Sequence, residues 1–129
     1  MRVREAAENY LEVILMLSKK QSHVRAADIC AFLGYSRPTV SAALKQLREN
    51  GYISVDGDNY ITLKAKGRDI AEAMYERHHV IAGFLMAIGV DEETALKDSC
   101  RVEHYISKKT FDCMKAHFSS YIMGKEEGK

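Results

Sequence analysis

The feature that most restricts the fold is a change of hydrophobic period in the middle of the chain. From Arg25 to Leu33 the apolar residues Ala27, Ile29, Cys30 and Leu33 recur at helical spacing, and Gly34 follows as a helix-ending residue. Only Tyr35 separates this segment from Ser36, whose hydroxyl suits an N-cap. Pro38 then falls in the first helical turn, where a missing N–H does little harm. The helix opened by Ser36 runs to Asn50-Gly51 and is expected to bury Val40, Ala43, Leu44 and Leu47. There the period drops to about two: Tyr52–Val55 and Tyr60–Leu63 flank Asp56-Gly57-Asp58-Asn59, a tetrapeptide suited to a hairpin loop. Two short helices across a tight turn, then a hairpin, is the order of a winged helix–turn–helix.

The flanking segments are helical. Glu5 to about Lys19 carries Tyr10, Leu11, Ile14, Leu15 and Leu17. A long helix is expected from Lys64 to Ala87, ended by Gly89. Asp91-Glu92-Glu93 suits the first turn of a further helix carrying Leu96, Cys100, Glu103 and His104. A last helix from about Ser107 aligns Phe111, Met114, Phe118, Tyr121 and Ile122 in a stripe that needs a partner, so a homodimer surface is expected. The expected fold is mainly α with a small β-hairpin: a winged helix–turn–helix DNA-binding domain over 1–63 and a helical metal-binding and dimerisation domain over 64–129.

Composition narrows the function. With 47% apolar residues in 129, the chain can build a core, and 19 Lys+Arg against 18 Asp+Glu exclude a uniformly basic coat. Residues 1–66 hold ten basic and seven acidic residues, and 67–129 hold nine and eleven, which favours an anion-facing front half. No apolar run approaches the roughly 20 residues of a bilayer span, so no membrane partner is expected. Three widely spaced cysteines (Cys30, Cys100, Cys113) and a charged N-terminus with no signal-like apolar segment point to the cytoplasm. Gly-rich phosphate loops, HExxH and GxSxG are absent, and little chain is left for a substrate cleft, so an enzyme is not expected.

Two constellations carry chemistry. A recognition helix enters the major groove by its N-terminal end, where Ser36, Arg37, Thr39 and Ser41 supply donors; Lys45 and Arg48 lie further along to meet phosphates. The second lies within DSCRVEHYIS: offsets of three and four put Cys100, Glu103 and His104 on one helical face, and thiolate, carboxylate and imidazole are all transition-metal ligands. One of His78-His79 on the preceding helix, together with Asn9 and Glu12 on the first, completes a site assembled from three helices.

These residues resemble the metal-dependent transcriptional repressors of the diphtheria toxin repressor and manganese transport regulator type. The likeness is carried by ENYLEVILML, DICAFLGYSRPTVSAALKQLRENGYI, LKAKGRDIAEAMYERHH, IGVDEE and CRVEHYIS, which cover nearly the whole chain in the family order. The resemblance implies an N-terminal winged helix on palindromic double-stranded operator DNA and a helical second domain that dimerises and holds metal. No SH3-like third domain is expected, which suggests the short, two-domain branch. It makes Glu103, His104 and His78 metal ligands, with Glu12 a ligand of the manganese branch and Cys100 standing where the iron branch has Cys. Asn9 departs from the Asp of the manganese branch. Ala82 and Leu96 stand where the iron branch's ancillary site has Glu and His. Ser36, Pro38 and Thr39 occupy DNA-contacting positions, and Ala42 replaces a contacting glutamine.

The implied mechanism is linkage: a divalent ion ties the first helix to the dimer domain and favours the operator-binding state. A thiolate beside His and Glu suits Fe(II), Co(II) or Zn(II) better than an all-oxygen Mn(II) site does, and availability in the cell puts Fe(II) first and Mn(II) next, with Zn(II), Co(II) or Ni(II) able to substitute. Repression of metal-uptake genes follows from the resemblance. The alternative is a winged-helix regulator that answers to thiol oxidation at Cys100.

Overall fold

The computed structural model describes residues 3–127, with side chains over 4–118. Its elements are α1 (Val3–Lys20), α2 (Ala26–Leu33), α3 (Arg37–Glu49), β1 (Ile53–Val55), β2 (Ile61–Leu63), α4 (Ala65–Ala87), α5 (Glu92–Val102) and α6 (Lys108–Glu127). The chain divides into two compact units, Met1–Tyr75 and Glu76–Lys129, the division falling within α4. Among the described residues no helix is long and apolar enough to cross a membrane.

In the first unit, α1, α2, α3 and the hairpin close over one core. Leu11, Ile14, Ile29, Val40 and Ile53 are fully buried, and each contributes about 1.5–3 kcal/mol by leaving water. The turn between α2 and α3 is set by local chemistry. Gly34 adopts φ 72°, which a Cβ disfavours, and donates its N–H to the Cys30 carbonyl at 2.8 Å. Two residues on, Ser36 Oγ accepts from the Thr39 N–H and shares a 2.8 Å hydrogen bond with Thr39 Oγ1.

The strands pair antiparallel with Ile53 opposite Leu63 and Val55 opposite Ile61. Each is one residue shorter than its sequence pattern, because Tyr52 donates its N–H to the Leu47 carbonyl and Tyr60 donates to Asp56 Oδ1. Asp56 Oδ1 also accepts from the Asp58 N–H at 2.9 Å, which closes the tip as an Asx turn. Behind the hairpin, Gly67 lies so close to the Tyr52 carbonyl that a Cβ there would overlap it.

The second unit is helical. Ile81 and Ala82 of α4, Ala95 and Ser99 of α5 and Phe111 of α6 are buried. Gly83 lets Phe118 rest on the α4 backbone: a Cβ at 83 would sit 2.7 Å from the ring. Asp91 caps α5 by accepting the Thr94 N–H at 3.0 Å, a bond that holds its carboxyl below the usual carboxylate range. In the stripe expected along α6, Phe111 is buried and Met114 and Phe118 are half-buried, while the side chains of Tyr121 and Ile122 lie outside the described residues.

Candidate metal centre and nucleic-acid interface

Within the second unit, α4 and the end of α5 bring four potential ligands together. Of the two adjacent histidines, His78 is buried and His79 exposed. His78 Nδ1 lies 3.3 Å from Glu103 Oε2 and 3.7 Å from Cys100 Sγ. On the other side of the same carboxylate, Glu103 Oε1 is 3.4 Å from His104 Nε2. The side chains of Glu103 and His104 are 1% and 3% exposed, whereas Cys100 is on the surface.

One expectation needs correction here: α5 does not carry Glu103 and His104. The helix stops at Val102, Glu103 is its C-cap, and His104 lies in the turn that follows. Glu103 keeps helical dihedrals (φ −57°, ψ −26°), so the three-residue offset from Cys100 still leaves both groups beside His78. Asn9 is half-buried and Glu12 buried, three residues apart on α1 in the first unit.

A carboxylate this deeply buried between two imidazoles is expensive to keep charged unless a cation compensates it. The contacts are pairwise, His78 with Cys100 and with Glu103, and Glu103 with His104, and thiol, carboxylate and imidazole are each donor types that suit a first-row divalent ion. The residues present therefore fit a metal.

The second candidate lies on the first unit. Arg37, Ser41, Lys45 and Arg48 of α3, together with Arg25, Asp58 and Asn59, line an open groove of about 550 Å³. Ser36, Pro38 and Thr39 form the exposed first turn of α3, and their capping bonds fix where its N-terminus points. The cations project from a helix that is buried on its opposite face through Val40, Leu44 and Leu47. Long basic side chains on a rigid, half-buried helix are what phosphate contact requires.

Several residues at these two places escape a reading of the sequence. Ser99 is fully buried and its hydroxyl lies 3.0 Å from His78 Nδ1. Arg77 donates from Nη1 to the carbonyls of Glu103 and Ile106. At the other site, the Arg25 guanidinium lies 4.6 Å from the centroid of the Tyr60 ring, on which His23 also stacks at 4.1 Å. The basic character of Arg25 and Arg77 was visible; their partners, more than 25 residues away, were not.

A winged helix with a cation-lined groove, followed by a helical unit in which the enclosed side chains of His78, Glu103 and His104 lie beside an exposed Cys100, defines a metal-responsive DNA-binding regulator. Residues 2–60 match the model of the iron-dependent repressor N-terminal DNA-binding domain, and residues 64–121 match that of the iron-dependent repressor metal-binding and dimerisation domain. The chain belongs to this iron-dependent repressor family of metal-dependent transcriptional regulators. It is 35% identical over 112 residues to the transcriptional regulator MntR of Escherichia coli O6:H1, covering 87% of this chain and 72% of that protein. To the HTH-type transcriptional regulator MntR of Bacillus subtilis it is 30% identical over 105 residues, 81% of this chain and 74% of the relative. A solved manganese-dependent transcriptional repressor in complex with manganese superposes with a TM-score of 0.80 at 27% identity, covering 88% of this chain and 52% of that one. The metal-dependent transcriptional regulator MtsR shares the fold, with a TM-score of 0.81 at 23% identity, over 88% and 53% of the two chains. The chain thus spans about half the length of these solved structures. These likenesses lend no support to an oxidation-responsive regulator built on Cys100.

Proposed function

We propose that this protein represses transcription in response to a divalent transition metal held by His78, Cys100, Glu103 and His104. By the family resemblance, α1 contributes Glu12 and, through its amide oxygen, Asn9. The observation that carries the reading is the meeting of His78 Nδ1 with Cys100 Sγ and with a buried carboxylate that also faces His104 Nε2. Sulfur and nitrogen donors suit Fe(II), Co(II), Ni(II) or Zn(II) better than Mn(II), and availability in the cell puts Fe(II) first and Mn(II) next, with the others as substitutes. When bound, the ion supplies positive charge that offsets the carboxylates and any thiolate around it.

The protein's own groups do the rest. Residues 1–63 bind DNA; residues 64–129 hold the metal and form a homodimer. The ion raises the DNA-competent population only by the difference in its affinity for the competent and incompetent states, and ligands drawn from α1 as well as from the α4–α5 region create that difference. Two copies of α3, held by the homodimer, suit half-sites about 34 Å apart on a palindromic double-stranded operator. Ser36, Arg37, Pro38, Thr39 and Ser41 face base edges and the near backbone, and Lys45 meets phosphate. The genes we expect to be repressed are those of metal uptake in the cytoplasm of the cell.

The test is a calorimetric titration of chelated protein with Fe(II), Mn(II) and Zn(II), repeated with operator fragments present. Tight metal binding and a metal-dependent rise in operator affinity are expected. Equal operator affinity with and without metal would refute the proposal.

A further inference from the structure

We infer that Arg77 is the positioning residue of the metal centre, holding the turn that presents Glu103 and His104. The inference rests on the metal reading above. Where a helix stops, its last carbonyls lose their intrahelical donors, and a turn left in that state frays. At the end of α5 the Val102 carbonyl accepts from the Tyr105 and Ile106 N–H groups, and the turn that follows is held from α4: Arg77 Nη1 donates to the Glu103 carbonyl at 2.9 Å and to the Ile106 carbonyl at 3.1 Å. Both ends of the four-residue turn are therefore tied to α4. Its guanidinium also lies 5.3 Å from the centroid of Phe111, the buried aromatic of the first turns of α6. A charged plane held against a ring has few alternative positions.

The direction of these bonds matters. Arg77 grips the backbone of Glu103 and not its carboxylate, so the Oε atoms stay turned toward His78 and His104. The next residue along α4 is His78 itself, whose Nδ1 lies 3.0 Å from Ser99 Oγ and 3.3 Å from Glu103 Oε2. One turn of α4 thus holds the main chain of the ligand-bearing turn through Arg77 and meets its side chains through His78. Arranging ligands before the ion arrives removes an ordering cost from binding, and partners that orient ligands typically alter metal affinity roughly ten- to a hundredfold.

The experiment titrates the full chain with Co(II), whose visible band reports ligand geometry and whose near-ultraviolet band reports thiolate ligation, while circular dichroism follows folding. Arg77→Met keeps a stem of similar length over Phe111 and removes the donors; Arg77→Lys restores a cationic donor without the guanidinium plane. Expected are about ten- to a hundredfold weaker Co(II) binding and a changed visible band in Arg77→Met at unchanged helix content, with partial recovery in Arg77→Lys. An Arg77→Met chain with wild-type affinity and spectrum overturns the inference. So does a loss that follows only the folded fraction and disappears when an osmolyte restores folding, since that marks a purely structural clamp. If the wild-type chain gives no Co(II) spectrum, the failure belongs to the metal reading and not to Arg77.

Discussion

The two functional regions are built on opposite plans. The face of α3 that carries Arg37, Ser41, Lys45 and Arg48 is exposed, and its geometry comes from a helix fixed at its start by Ser36 and on its inner side by Val40, Leu44 and Leu47. The cluster around Glu103 is the reverse: all its side chains but that of Cys100 are enclosed, and their placement depends on Arg77 and His78 reaching residues 21 or more positions away. A surface that must meet a large polyanion can be set by local signals, since long side chains adapt to the phosphates. A centre that must fit one small ion needs several groups held together, so it draws on distant parts of the chain.

This contrast can be broken by mutation, and the largest effect falls on the buried cluster. Glu103→Ala and His104→Ala should each abolish metal-stimulated operator binding while circular dichroism shows an intact fold; wild-type response in both would end the metal account. Next is Arg37→Ala, expected to weaken operator binding by about 1–3 kcal/mol if it forks onto a base, with metal affinity unchanged by calorimetry. A fall in metal affinity there would erase the separation of roles.

Of similar size but on stability, Gly67→Ala should destabilise the chain by about 1–3 kcal/mol in denaturant melts, because a methyl group would press on the Tyr52 carbonyl. Ser36→Ala should cost about 1 kcal/mol through the lost cap and should reduce operator affinity more than metal affinity. The smallest effect concerns Asp91. Its carboxyl is more acidic folded than unfolded, so its contribution is present above the ordinary carboxylate range and lost as pH falls through the lower folded value. A pH series on Asp91→Asn should therefore match wild type in acid and fall below it once the pH rises past the ordinary carboxylate range.

What could be read from the sequence follows the same division. The helix–turn–helix was legible because its determinants are neighbours: Gly34 in a left-handed conformation, Ser36 as cap, Pro38 in the first turn. The hairpin was legible from Asp56 to Asn59, although the N–H groups of Tyr52 and Tyr60 turn to Leu47 and to the Asp56 side chain, hydrogen bonds that alternation does not encode, while their carbonyls still accept across the hairpin. Cys100, Glu103 and His104 were recognisable as a ligand set by chemical type, yet the end of α5 was not. Nothing near Val102 marks a stop, since the side-chain donor to the following turn comes from Arg77, 26 residues before Glu103. Ser99 reads as an ordinary surface serine until the fold buries it against His78. The identity of a ligand is local; its orientation is a property of the packing.

The exposure of Cys100 has a consequence for timing. Cys100 alone among the four clustered residues is exposed, the side chains of the others being nearly enclosed. Under the proposed function, ligand exchange at Cys100 sets how promptly the protein tracks a rising or falling supply, separately from how tightly the enclosed groups hold on.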